Sequence, residues 1–226
     1  GGIMKKVLWV VSHELPIVST VTNSKNAVVT GGWITALSNH IANNKKYELA
    51  ICCPSQRPVQ EKHNYNGVTF YTISYEILKA VNSIHEVIND YKPDILHVWG
   101  AEVDFSLPAI QAFSNPDRTV IHIQGLACKC YLHYNANLPW YVIYGTSIGE
   151  IIRRNNIYNN KRKMLKRSES EYQAMRLAGN FFGRTEFDKA VCREISPNSN
   201  YYHCGEIMRD PFYQIHWDYK KCDKQR

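Results

Sequence analysis

No apolar run in the sequence approaches the roughly 20 residues that a membrane-spanning helix needs, so no transmembrane helix is expected. The first residues carry no secretory signal pattern, and none of the seven cysteines are spaced Cys-x-x-Cys. An odd cysteine count without a disulfide spacing points to reduced thiols and a cytoplasmic protein. Neither a Walker loop nor a Gly-x-Gly-x-x-Gly fingerprint occurs, which removes the two commonest phosphate-binding signatures. There are no internal repeats or low-complexity stretches, so solenoids and disordered linkers are excluded as the main architecture. Met4 reads as the natural start, after a three-residue cloning remnant.

What is present suits one large globular domain. The chain has 226 residues, 44% of them hydrophobic and 21% charged, enough for a substantial core. A formal net charge of +7 favours anionic partners such as nucleotides, sugar phosphates or anionic lipid surfaces. No groove-reading motif accompanies that charge, so nucleic acid is not the expected partner.

The organising stretch is Pro93-Asp94-Ile95-Leu96-His97-Val98-Trp99-Gly100-Ala101-Glu102. Its apolar run reads as a strand buried on both faces, with Asp104 as the N-cap of a following helix. A strand over 7–11 precedes it as the first, central strand, and a polar loop then runs to Thr30. Gly31-Gly32-Trp33 opens a helix with Trp33, Ile34, Leu37 and Ile41 on one face. Further strands are expected over 47–53, closed by Pro54, and over 68–73, 119–123, 180–183 and 200–203. Residues 57–66 read as a polar surface excursion. Helices are expected over 76–91, burying Ile77, Val81, Ile84 and Ile88, then over 161–177 and 186–195. Between 127 and 157 the period is lost and Tyr and Trp accumulate, which suits a mobile lid or cap. The alternation gives an α/β class: a Rossmann-like parallel sheet with helices on both faces.

In such sheets ligands bind at the carboxyl edge, so the strand-end turns carry the candidate chemistry. Gly31 and Gly32 can bring an anion to a helix N-terminus, or simply make a tight turn with close packing. Arg184 can bind an anion at a junction where Thr185 also reads as an N-cap. His13 and His203 fall at strand ends and suit ligand contact, whereas His97 and His122 read as satisfied core histidines. Cys128, Cys130 and His133 have ligand chemistry but no evident fourth partner, so no metal is expected. Seven cations over 153–167 form either a solvated helix face or a contact with an anionic membrane surface.

These junctions together resemble one family. The first strand with its long loop to Gly31-Gly32-Trp33, the 94–102 stretch, Ile121-His122-Ile123-Gln124-Gly125-Leu126 and Gly183-Arg184-Thr185-Glu186-Phe187-Asp188 match in order. So does the exit His203-Cys204-Gly205-Glu206 followed by Arg209-Asp210-Pro211-Phe212-Tyr213. The chain is similar to the N-terminal half of GT-B-fold nucleotide-sugar glycosyltransferases of the large retaining group 1, or family 4-like, class. The resemblance implies an acceptor-side domain over 1–205 and the start of an inter-domain linker over 206–226, with a donor-side half beyond Arg226. It implies a hexosyltransferase-like enzyme moving sugar from a nucleotide-sugar onto a glycan or glycolipid in cell-surface polysaccharide synthesis. The expected place is the cytoplasm, with peripheral contact at the inner membrane face, and this half alone is expected to be inactive. No tightly bound cofactor is implied; the nucleotide-sugar is a substrate. Gly31, Gly32 and Arg184 would line the donor-phosphate cleft, and His13, Trp99, Glu102, Gln124 and Tyr131 would face the acceptor. Glu102 and Gln124 are the candidate catalytic residues, although Gln124 stands where the family often has His and cannot act as a base. A nucleotide-sugar epimerase half and a non-catalytic sugar- or nucleotide-binding module are the alternatives.

Overall fold

The computed structural model describes residues 4–21, 31–44, 46–55, 61–145, 147–208, 211–216 and 218. The strands are β1 (Lys5–Val10), β2 (Tyr47–Ser55), β3 (Lys62–Tyr65), β4 (Val68–Ser74), β5 (Ile95–Trp99), β6 (Thr119–His122), β7 (Asn180–Gly183) and β8 (Asn200–His203). They form one eight-stranded sheet in the order β3-β4-β2-β1-β5-β6-β7-β8. All pairs are parallel except β3 with β4. The chain builds outward from β1 to one side and then crosses to β5 on the other. That reversal is the topological switch point of a doubly wound fold, and its crevice opens at the carboxyl ends of β1 and β5.

Helices α1 (Pro16–Val21), α2 (Gly32–Ala42), α3 (Ile77–Tyr91), α4 (Ser106–Phe113) and α5 (Ala127–Cys130) follow in order. Then come α6 (Trp140–Tyr144), α7 (Ile148–Ile152), α8 (Ile157–Leu177), α9 (Glu186–Ile195) and α10 (Pro211–Gln214). Strict alternation along each strand sorts side chains to two cores. Leu8, Val10, Leu96, Val98, Ile121 and Phe181 pack under α3, α4, α8 and α9. Trp9, Val11, Ile51 and Trp99 face the other way, under α1 and α2. Over β5, β6 and β7 this second face opens as an apolar groove of about 420 Å3 lined by Ile95, His97, Val120, His122 and Phe182. β8 is the outermost strand of the described sheet on this side, with Tyr202 exposed.

Several local expectations change. Residues 62–65 are not an excursion but β3, joined to β4 by Asn66–Gly67, both at positive φ. That dipeptide is the hairpin turn that matches strand twist. Pro54 does not close β2, which runs to Ser55. Val11 N–H donates to Cys52 O at β1's end, so the N–H that Pro54 lacks falls at the last step of that ladder, just beyond Val10. Part of the polar loop after Ser12 is helical, with Leu15 and Val18 buried; its remainder, 22–30, lies outside the described residues, as do 56–60 of the excursion. Helix α3 buries Ala80, Ile84, Val87 and Tyr91 rather than a face centred on Ile77 and Val81. Asp104 makes no capping bond; α4 starts after Phe105, and Ser106 Oγ donates to Gly100 O at 2.5 Å.

Candidate functional site at the carboxyl edge of the sheet

The first wall of the crevice comes from the end of β1. His13 lies beside Gly31, whose φ is +79; a Cβ there would stand 2.5 Å from His13 Nε2. Only glycine permits both that backbone conformation and that approach. Ser12 Oγ pairs with His13 Nδ1 at 3.0 Å, and burial lowers the imidazole's pKa, so the ring is neutral at neutral pH. Gly31 and Gly32 then line a cavity of about 450 Å3 with Trp33, Glu206, Ile207, Met208 and Phe212.

The second wall is the turn after β5. Gly100, at φ +92, donates its N–H to His122 O at 2.9 Å and lets the Glu102 carboxylate fold back over it. Virtual Cβ atoms on Gly100 and Gly125 would lie 3.0 Å and 3.3 Å from the Glu102 oxygens, so two strand-end glycines clasp one carboxylate. Glu102 Oε2 is buried and makes no hydrogen bond among the described residues. Burial, with a smaller push from Glu171, raises the Glu102 pKa to about 7, against the pull of its own backbone N–H and of Arg167. Gln124, beside Gly125, likewise has a buried Nε2 without a partner among the described residues. The arrangement leaves one buried carboxylate oxygen and one buried amide nitrogen unpartnered among the described residues.

Glu171 of α8 holds this wall in place and has no signal in the sequence beyond being an acidic residue on an otherwise polar helix. It is fully buried and accepts from Ala127 N at 3.1 Å and Cys128 N at 2.6 Å. A carboxylate thus caps the first turn of α5 and fixes the 124–126 turn. Cys128 is buried and Cys130 exposed, so the two thiols of that turn do not converge. Among the described residues no cluster of three metal-ligating side chains forms.

Arg184 stands at the end of β7, where Thr185 and Asp188 form a capping box. Its Nη1 lies 3.1 Å from Glu206 Oε1, and Glu206 lines the Gly31–Gly32 cavity. Gly31, Gly32 and Arg184 are therefore linked through Glu206, a residue that sequence reasoning placed only in the exit toward a linker. Trp99 is buried, stacked on His122 at 4.3 Å and His97 at 4.5 Å, and touched edgewise by Trp9 and Trp33. It lines the apolar groove beside the crevice. His97 and His122 are core histidines but not satisfied ones: both ring nitrogens of His122 and Nε2 of His97 have no partner among the described residues. Desolvation, and for His122 also Arg184, drives the His122 pKa down to about 4 and that of His97 well below normal. Tyr131 sits elsewhere, in a groove with Tyr144, Tyr158, Lys161 and Arg162. His203 donates through Nε2 to Arg184 O at 3.1 Å, a backbone contact.

No protein-family model matches the sequence, and no characterised protein matches it by sequence. Solved structures do match in three dimensions. Sucrose-phosphate synthase from Thermosynechococcus elongatus superposes at TM-score 0.54 and 10% identity, over 89% of this chain and 48% of that one. A UDP-glucosyltransferase from Polygonum tinctorium superposes at TM-score 0.53 and 10% identity, over 96% of this chain and 55% of that one. The fold is shared with glycosyltransferases. The chain spans about half the length of each of these two structures.

Proposed function

We propose that this chain is the acceptor-side domain of a nucleotide-sugar glycosyltransferase. The observation that carries the reading is the clasped Glu102 carboxylate at the carboxyl end of β5, one oxygen of which is buried without a partner among the described residues, in a fold shared with glycosyltransferases. With a pKa of about 7, Glu102 can accept a hydrogen bond from an acceptor hydroxyl and take its proton as the oxygen bonds to the sugar's anomeric carbon. The bond from that carbon to the nucleoside diphosphate breaks at the same centre. Gln124 would orient the acceptor through its amide, and Gly31, Gly32 and Arg184 would meet the departing phosphates. His13 would border the acceptor side.

The finer readings rest on the resemblance: a retaining, hexosyltransferase-like enzyme, a glycan or glycolipid acceptor, cell-surface polysaccharide synthesis, and peripheral association with an anionic membrane surface. No helix among the described residues is long and apolar enough to cross a membrane. The donor phosphate needs more preorganised donors than two glycines and one arginine supply, so residues 1–226 alone should bind a nucleotide-sugar weakly. Release of nucleoside diphosphate by the protein with its second half, compared with residues 1–226 and with Glu102→Gln, tests the proposal. Transfer by the longer protein and a large kcat loss in the variant support it. Tight donor binding without any turnover would favour the binding-module alternative, and interconversion of the nucleotide-sugar without an acceptor would favour the epimerase.

A further inference from the structure

Residues 127–157 read in the sequence as a mobile lid or cap, yet several of their large apolar side chains point to solvent. Trp140 is 73% exposed on α6, and Ile148 and Ile152 are 77% and 74% exposed on α7. Tyr141 and Tyr144 of α6 are exposed beside them. Each helix is only five residues long, but they do not hang loose. Asn156, the N-cap of α8, donates to Tyr144 O at 2.7 Å and accepts from Asn159 N at 2.9 Å, and Tyr144 stacks on Tyr158 at 5.1 Å. The apolar side chains of α6 are therefore presented on a fixed platform next in sequence to α7, where exposure of this size needs a reason.

The charge around them supplies it. Residues 138–167 contain seven of the chain's 27 lysines and arginines and, in Glu150, one of its 20 acidic residues. This cap thus carries almost the whole formal excess of +7. Arg153 and Arg154 follow α7 directly, and Arg162, Lys163, Lys166 and Arg167 are exposed along α8. Lys161 and Arg162 also border a groove of about 390 Å3 with Tyr131, Tyr144 and Tyr158, wide enough for a charged headgroup. Large aliphatic and aromatic side chains interleaved in sequence with exposed cations are the composition of an element that lies in a membrane interface. Nucleic acid would call for the cations without the isoleucines.

We infer that the α6–α7 cap is a docking surface for an anionic lipid bilayer, with Trp140, Ile148 and Ile152 entering the interface and the arginines meeting the headgroups. The inference deepens the glycosyl-transfer reading, and only its corollary rests on that reading: α5 starts at the strand end that carries Gln124, so a docked cap holds the crevice near lipid-borne acceptors. Docking itself is measured with no sugar present. Failure to bind therefore leaves glycosyl transfer untouched, and failure to transfer leaves docking untouched.

The test is co-sedimentation of the protein with phosphatidylcholine vesicles, with and without phosphatidylglycerol. Binding is expected to the anionic vesicles only. It should be lost on raising salt from about 0.1 M to about 1 M, which shrinks the screening length from about 10 Å to about 3 Å. The pair Trp140→Ser and Ile148→Ser should weaken partitioning at least about tenfold, since two large side chains no longer leave water. Arg153→Gln with Arg154→Gln should weaken it roughly thirtyfold, as each cation near such a surface contributes about fivefold. All four side chains are exposed, so melting temperatures should match the parent protein, and the salt response of the unmodified protein is read in any case. Equal binding to neutral and anionic vesicles would overturn the inference. So would wild-type affinity in both variants, or self-association or RNA binding through the cap in place of vesicle binding.

Discussion

Glu102 is a carboxylic acid whose neutral form the fold prefers. Its pKa rises from the ordinary 4.5 to about 7 on folding, so between those values the folded chain holds a proton that the unfolded chain has lost. Stability from this group therefore falls as pH rises from about 4.5 to about 7, by about 1–3 kcal/mol in all. His97 and His122, with lowered values, titrate in the opposite sense, so the wild-type curve alone mixes the two. The difference between wild type and Glu102→Gln isolates the carboxylate: in urea melts the variant should gain about 1–3 kcal/mol relative to wild type between pH 5 and pH 8. A flat difference would mean that Glu102 is solvated. Gly31→Ala tests the opposite wall. The new methyl group meets His13 Nε2 in a backbone conformation that alanine resists, so the variant should lose about 1–3 kcal/mol and change the His13 ring signals in NMR.

At the scale of elements, the turn after β6 depends on a helix that begins more than thirty residues later in the chain, about as far away as any local pattern can hide. Glu171→Ala leaves two buried backbone N–H groups unpaired and should cost about 2–4 kcal/mol, while Glu171→Gln keeps one acceptor oxygen and should cost less. Denaturant melts of both variants check the order. Elements built on one strong local signal were legible beforehand. β1, β5 and β6 are apolar runs flanked by turn residues, and α9 announces itself through Thr185 and Asp188 three residues apart. β3 was legible too, since Asn66–Gly67 is a hairpin signal, but its polar residues, right for an edge strand, masked it. What could not be read were side-chain directions across strands. Nothing local says that Trp99 stacks on His122, that Glu102 folds back onto Gly100 and Gly125, or that Arg184 reaches Glu206.

For the molecule as a whole, the strand-end residues picked from the sequence converge because parallel strands share one carboxyl edge, a rule of topology and not of any motif. His13, Glu102, Gln124 and Arg184 all follow strands on that edge, with His13 against Gly31 and Arg184 reaching Glu206, while Tyr131 went with the aromatic cap instead. The two lateral borders of the sheet differ in finish. On one side β3 runs against the grain and ends the ladder with lysine and asparagine side chains in solvent. On the other, β8 is the outermost strand among the described residues and carries an exposed tyrosine, on the flank where the sheet's second face is open. Such a border is a growth point, and the net positive charge is then what keeps copies apart. Concentrated solutions should stay clear at low ionic strength and scatter light as salt screens that repulsion. Tyr202→Lys should raise the salt at which turbidity begins, and an unchanged threshold would place the sticking surface elsewhere. The colloidal behaviour of this protein would then be decided by one four-residue strand.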